Sequence, residues 1–278
     1  MESARTSYMP PVDQLLTYGE GKNSLPENWP NYLELGLGPE HIPDLIRMAT
    51  DEELNWADSE SLEVWAPLHA WRALGQLRAE AAIEPLLLLF ETMQESDWVT
   101  EELPEVFGMI GPAALPALAT CITDISSDEE VLISAISCVE KIGTRWPEAR
   151  PACVELLMEQ LELFAENDPE VNSFLVLALV ELHAREAAPL IERAYAARCV
   201  DLMLMGDWDD VQVEFGLLSA EELMQRRSSK LPEASSPSPA HQTIHAQVST
   251  RENRQREAVQ KKAKNKMVKE SRKKNRKR

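Results

Sequence analysis

Three stretches of this chain hold residue types that could do chemistry. The first is Trp65-Ala-Pro-Leu-His-Ala-Trp-Arg72, in which an imidazole and a guanidinium stand three residues apart. On a helix that spacing puts His69 and Arg72 on one face. With Trp65 and Trp71 beside them they could line a pocket for an anion or an aromatic ligand, but the same letters suit a packed helix start with Pro67 in its first turn. The second stretch is Asp207-Trp-Asp-Asp210. Its carboxylates could hold a divalent cation through oxygen, yet they lack the spaced loop and closing Glu of an EF-hand. Solvated acids and a helix cap explain Asp207, Asp209 and Asp210 equally well. Trp65, His69, Trp71, Arg72, Asp207, Trp208 and Asp209 therefore stand as candidate partner-binding residues.

The third stretch is a basic tail, with Lys261, Lys262, Lys264, Lys266, Arg272, Lys273, Lys274, Arg276, Lys277 and Arg278 nearly uninterrupted. Such a run suits phosphate backbones, where each neutralised phosphate releases a counterion and makes binding salt-dependent. No aromatic residue is interleaved to stack on bases, so sequence-specific recognition is not expected. The same tail could instead fold back on the body or serve solubility. His41 and His183 stand apart from any nucleophile or ligand pattern. The sequence also lacks Gly-x-Ser-x-Gly, a phosphate-binding loop and His-Glu-x-x-His. No catalytic, cofactor-binding or metal residue is assigned, and a non-enzymatic protein without a cofactor is expected.

Charge divides the chain. The formal net of −19 conceals a tail, residues 251–278, with 14 Lys or Arg against 3 Asp or Glu. Residues 1–250 then hold 14 basic and 44 acidic side chains. An acidic body favours basic partners and repels nucleic acid at long range, and the tail does the reverse. Between them, residues 228–250 are rich in Ser and Pro and poor in large apolar groups, so burial cannot offset the entropy of ordering them. That linker and the tail are expected to be disordered. The longest apolar runs, Leu86 to Phe90 and Phe174 to Leu179, fall far short of the roughly 20 residues that span a bilayer. The polar N-terminus has no apolar signal core, and a cytoplasmic protein without a membrane segment is expected. Cys121, Cys138, Cys153 and Cys199 are scattered among apolar helical positions and read as free thiols.

The elements that must position these residues repeat. Leu74, Ala81, Ala82, Ile83, Leu86 and Phe90 fall on Val106, Ala113, Ala114, Leu115, Leu118 and Ile122 at one constant shift of 32 residues. A third unit runs from Ser134 to Gly143 and into Ala149 to Leu157, and a fourth from Leu177 to Leu182 and into Ala187 to Ile191. Each reads as two helices with one apolar face. In the third, Val131, Leu132, Ala135, Cys138, Val139 and Ile142 keep a 3.6-residue period. Gly111 and Gly143 suit helix ends, Asp128 suits an N-cap, and Asp168-Pro169 places a capping carboxylate before a first-turn proline.

Arg72-Ala-Leu-Gly-Gln-Leu-Arg-Ala-Glu-Ala-Ala-Ile-Glu-Pro-Leu-Leu87 and Phe107-Gly-Met-Ile-Gly-Pro-Ala-Ala-Leu-Pro-Ala-Leu118 resemble the HEAT-like repeat of phycobilisome lyase subunits and related proteins. The resemblance covers about residues 64–200, and the chain departs from the repeat at Thr144-Arg-Trp-Pro-Glu148, where the turn lengthens, as either a binding edge or simple drift would explain. It implies an all-α, right-handed α-solenoid of about four helix pairs. Residues 1–63 would form a lead-in and cap, 201–227 a second cap, and the chain would end in the disordered basic tail. Most proteins with this repeat are scaffolds or adaptors, and a minority assist attachment of a bilin chromophore. The expected partner is a protein of unknown identity, with nonspecific RNA or ribosome contact through the tail as an alternative and a chromophore-lyase-like accessory role as another.

Overall fold

The computed structural model describes residues 8–21, 26–94, 96–124 and 128–230. The basic tail and most of the linker lie outside the described residues. Residues 1–225 form one compact unit, and a second begins at Arg226.

The described residues are helical, with no strand among them. A lead-in of short 3-10 turns, Val12–Thr17 and Tyr32–Leu35 among them, precedes α1 (Ile42–Ala49) and the single turn α2 (Glu52–Asn55). Then come α3 (Ala66–Gln76) and α4 (Ile83–Thr92), α5 (Asp97–Ile110) and α6 (Leu115–Thr123), α7 (Glu129–Arg145) and α8 (Arg150–Leu161), and α9 (Pro169–Glu181) and α10 (Ala188–Ala196). α11 (Leu202–Met205), α12 (Trp208–Glu214) and α13 (Ala220–Lys230) complete the described chain. α13 runs past residue 228, where the sequence places the start of the linker. No single helix among the described residues is long and apolar enough to cross a membrane. The pair Trp98–Ile110 and Pro112–Thr123, which reaches that length and apolarity together, is bent by 110°.

Packing follows chain order. α3, α5, α7 and α9 pack each on the next, with α1 against α3 at one end and α11 against α9 at the other. Each second helix packs on the following first helix, as in α4 with α5, α6 with α7 and α8 with α9, while α8 also meets α6 and α10. The 32-residue correspondence is visible in burial: Leu74 and Val106, Ala82 and Ala114, Leu86 and Leu118, and Phe90 and Ile122 are all core residues. Periodic apolar positions thus face a shared interior, because a lone helix pair cannot bury its own stripe.

One turn recurs between first and second helices. Ala82, Ala114, Ala149 and Ala187 donate their backbone N–H groups to Ala79, Gly111, Trp146 and Ala184 respectively, at 2.9 to 3.0 Å. Pro116, Pro151 and Pro189 then open α6, α8 and α10, where a missing N–H costs nothing. The first position of this turn is small in three units and a tryptophan in the third.

Helix ends depart from the sequence reading in an instructive way. Gly143 does not end a helix. It lies inside α7, where an added Cβ would stand 2.7 Å from Leu182 and 3.1 Å from Cys153, so its hydrogen allows close packing of neighbouring elements. The left-handed caps fall instead on Arg78, His183 and Arg198, with φ of 51°, 53° and 60°. Each makes the paired hydrogen bonds of a Schellman cap, such as Ala79 N–H to Leu74 O with Arg78 N–H to Gly75 O. The guanidinium groups of Arg78 and Arg198 offset the negative end of the helix dipole. Gly111, Asp128 and Asp168 do lie at helix ends.

Candidate functional site

His69 and Arg72 share a face of α3, and that face is buried: both are 1% exposed. His69 Nε2 lies 2.8 Å from the Gly19 carbonyl and Nδ1 lies 2.7 Å from the Tyr32 hydroxyl. A carbonyl only accepts, so Nε2 carries the hydrogen and Nδ1 accepts from Tyr32. Burial pushes His69 down to about 4 and the Tyr32 phenol upward. Arg72 makes a two-pronged pair with Glu102 of α5, Nε to Oε2 at 2.7 Å and Nη2 to Oε1 at 2.5 Å. Its guanidinium lies over the Trp29 ring at 4.7 Å. Burial holds Glu102 above the ordinary carboxylate range even with Arg72 beside it. These groups bind the lead-in to α3 and α5, and the polar atoms of His69, Tyr32 and Glu102 are engaged in doing so.

The neutral His69 makes the fold sensitive to acid. Between pH 7 and 5 the unfolded imidazole, with an ordinary value near 6.5, takes up a proton that the folded one refuses. The unfolded state then binds more protons, so stability falls as pH falls, by about 2 kcal/mol over this interval. The loss continues until about pH 4. Urea titrations of His69→Gln at the two pH values should show a loss smaller by about that amount. Identical losses in variant and parent would mean that His69 is charged in the fold.

The other candidates are placed apart. Trp65 is half-buried edge-on against Trp98, with ring centroids 5.3 Å apart. Trp71 is buried and donates its indole N–H to the Ala49 carbonyl at 3.0 Å. Trp65, His69, Trp71 and Arg72 thus meet different neighbours and do not converge on one pocket. Asp207 caps α12, accepting from Asp210 N–H, while the Asp210 carboxylate accepts from Asp207 N–H. Asp209 accepts from Gln212 at 3.3 Å, and Trp208 tilts against Tyr195. Among the described residues no group of His, Cys, Asp or Glu is arranged to hold a metal. Lys261 through Arg278 lie outside the described residues.

A concave feature lies elsewhere, where the lead-in meets the C-terminal ends of α3, α5 and α7. This pocket of about 420 Å³ takes Asn31 and Leu33 from the lead-in, Gln76 from α3 and Met109 from α5. Arg78, Arg145 and Trp146 supply the rest of its chemistry. Gln76 fixes the lead-in by accepting from Tyr32 N–H at 2.9 Å and donating to the Pro30 carbonyl at 2.8 Å. Trp146 is held from three sides. Its indole N–H donates to the Gly108 carbonyl at 2.9 Å, its ring presses on Gly111, and the Arg78 guanidinium stacks on it at 4.7 Å. The sequence offered one signal for this place, the lengthened turn at Thr144 to Glu148. It gave none for Arg78, which lies about 70 residues away in the chain.

One turn further along, Arg150 donates to the Leu182 and His183 carbonyls at 2.8 and 3.1 Å and pairs with Glu186. Side chains rooted near each turn therefore reach the next one along the edge. Compared with known proteins, the chain matches no family model, no curated protein and no solved structure.

Proposed function

We propose that this protein is a non-catalytic adaptor of the cytoplasm. In this reading its helix pairs form a right-handed solenoid of HEAT-like repeats, closed at one end by the lead-in and at the other by α11 and α12, and it binds a partner protein through the surface so made. The observation that carries the reading is the recurring turn at Ala79, Gly111, Trp146 and Ala184, joined to first helices that pack each on the next. A stack of this kind offers an extended surface of repeated positions, and such surfaces suit the binding of another chain. Fold alone does not name a function. The further support is that the polar groups nearest to a catalytic constellation, His69, Arg72 and Glu102, are engaged in holding the core.

A second reading draws on the charge of residues 251–278, which suits RNA or a ribosomal surface. The chromophore-attachment role has only the repeat resemblance behind it. Affinity capture separates the first two readings, using the full chain and a chain ending at residue 230, at low and moderate salt, with proteins and RNA both identified. The expected result is one protein retained by both forms at both salt concentrations. Capture that needs residues 251–278 and disappears with salt would replace the adaptor by a nucleic-acid-tethered factor.

A further inference from the structure

The pocket beside Trp146 differs in charge from its surroundings. Residues 1–250 are strongly acidic, yet the pocket lining holds two arginines and no carboxylate. Four other arginines of the same unit are committed: Arg47 to Asp44, Arg72 to Glu102, Arg150 to Glu186 and Arg193 to Glu162. Arg185 and Arg198 enter no ion pair with a described residue either, but they do not line this pocket. Arg78 and Arg145 are exposed and form no ion pair with any described residue. In a chain with so many carboxylates, two arginines left facing one cavity call for an anion from outside.

We propose that this pocket binds a carboxylate carried next to an apolar side chain, as presented by a peptide of the partner. The proposal rests on the adaptor reading and names the chemistry by which the partner is held. Arg78 is ready for such a group. Its guanidinium lies over an indole that is itself pinned by the bond to Gly108, so the aromatic face narrows the directions its N–H groups can take. Leu33, 44% exposed, and Met109 give an apolar wall for the neighbouring side chain.

The electrostatics favour a single negative charge over a phosphate. Three helices end at this place, α3 at Gln76, α5 at Ile110 and α7 at Arg145, and each C-terminus carries roughly half a negative charge. They offset part of the field of the two guanidinium groups. The acidic body repels a polyanion such as a nucleic acid at long range, so a small, singly charged group is the better match.

Nuclear magnetic resonance of the Trp146 indole N–H in the full chain provides the test, the signal being identified by its absence from Trp146→Phe. The probes are N-acetylleucine, N-acetylleucinamide, an N-acetylated and C-amidated leucine–glutamate dipeptide, and inorganic phosphate. N-acetylleucine should shift the signal saturably, in the millimolar range typical of so small a ligand. Arg145→Gln and Arg78→Gln should each weaken it roughly tenfold, with helical content unchanged. The amide should leave the signal in place. A response to the dipeptide as well would assign side-chain carboxylates to the site, and its absence would restrict the site to chain ends. An equal response to the amide, indifference to both arginine substitutions, or tighter binding of phosphate would each overturn the proposal. Undiminished capture of a partner protein by the doubly substituted chain would remove this site and leave the adaptor intact. Binding of N-acetylleucine without any captured protein would do the opposite.

Discussion

Arg72→Met should destabilise the fold by about 3–5 kcal/mol, because it leaves the Glu102 carboxylate unpaired in the interior. Glu102 is 0% exposed and Arg72 is bonded to both of its oxygens. Methionine fills a similar volume beside Trp29, so the loss comes from the stranded charge and not from a void. Two consequences follow from that cause. The penalty should shrink in acid: a stranded Glu102 has its folded value raised above the unfolded one, so its cost is absent at low pH and grows as pH rises through the carboxylate range. The double variant Arg72→Met with Glu102→Leu should recover most of the stability, since the buried pair is offset by the cost of drying both ions. Chemical unfolding at pH 7 and pH 5 checks both. A single-variant loss under 1 kcal/mol, or a double variant no better than the single, would mean that solvent reaches this pair. Either result bears on function, since it decides whether the most suggestive cluster in the sequence is structure or site.

Why that cluster misleads is a matter of physics. A sequence reports that His69 and Arg72 share a face, but not whether the face meets water. Glu102, 30 residues on, gives Arg72 its partner, and Gly19 and Tyr32, 50 and 37 residues back, take up His69. The helical architecture was legible because each helix writes its buried face as a local period, and because the stacking problem is solved the same way in successive units. Leu74 and Val106 reach the core by the same route. Caps were legible where a side chain does the capping, as at Asp168 and Asp207, whose carboxylates accept from Glu170 and Asp210 N–H. They were illegible where the backbone does it. Arg78, His183 and Arg198 adopt the left-handed conformation that usually marks glycine, at a cost of roughly 1–2 kcal/mol each, and the paired cap bonds and helix dipole offset that cost. The pocket was hidden for a further reason. It joins the ends of three helices, and no local pattern encodes which ends lie side by side.

Gly111→Ala should cost about 3 kcal/mol, the second large effect, and its cause can be divided. Gly111 sits at φ 93° and ψ −156°, a region open in practice only to glycine, so any side chain adds roughly 1–3 kcal/mol of backbone strain. An added Cβ would also stand 2.7 to 2.9 Å from three atoms of the Trp146 indole. The ring cannot retreat without giving up the 2.9 Å bond to Gly108 and its stacking on Arg78, worth about 1 kcal/mol or more together. Trp146→Ala alone should cost roughly 2 kcal/mol for a half-buried ring. If steric overlap contributes as much as strain, the two substitutions together should cost at least 1 kcal/mol less than their sum, because removing the ring makes room for the methyl group. Strict additivity in a thermal or urea cycle would assign the whole effect of Gly111 to its backbone. The cycle also separates the two arginines of the pocket. Arg145 does not depend on Trp146 for its position in α7, whereas Arg78 loses its platform when the ring moves. Gly111→Ala should therefore weaken N-acetylleucine binding through Arg78 alone, and adding Arg78→Gln to it should bring little further loss. Arg145→Gln should still subtract its full effect.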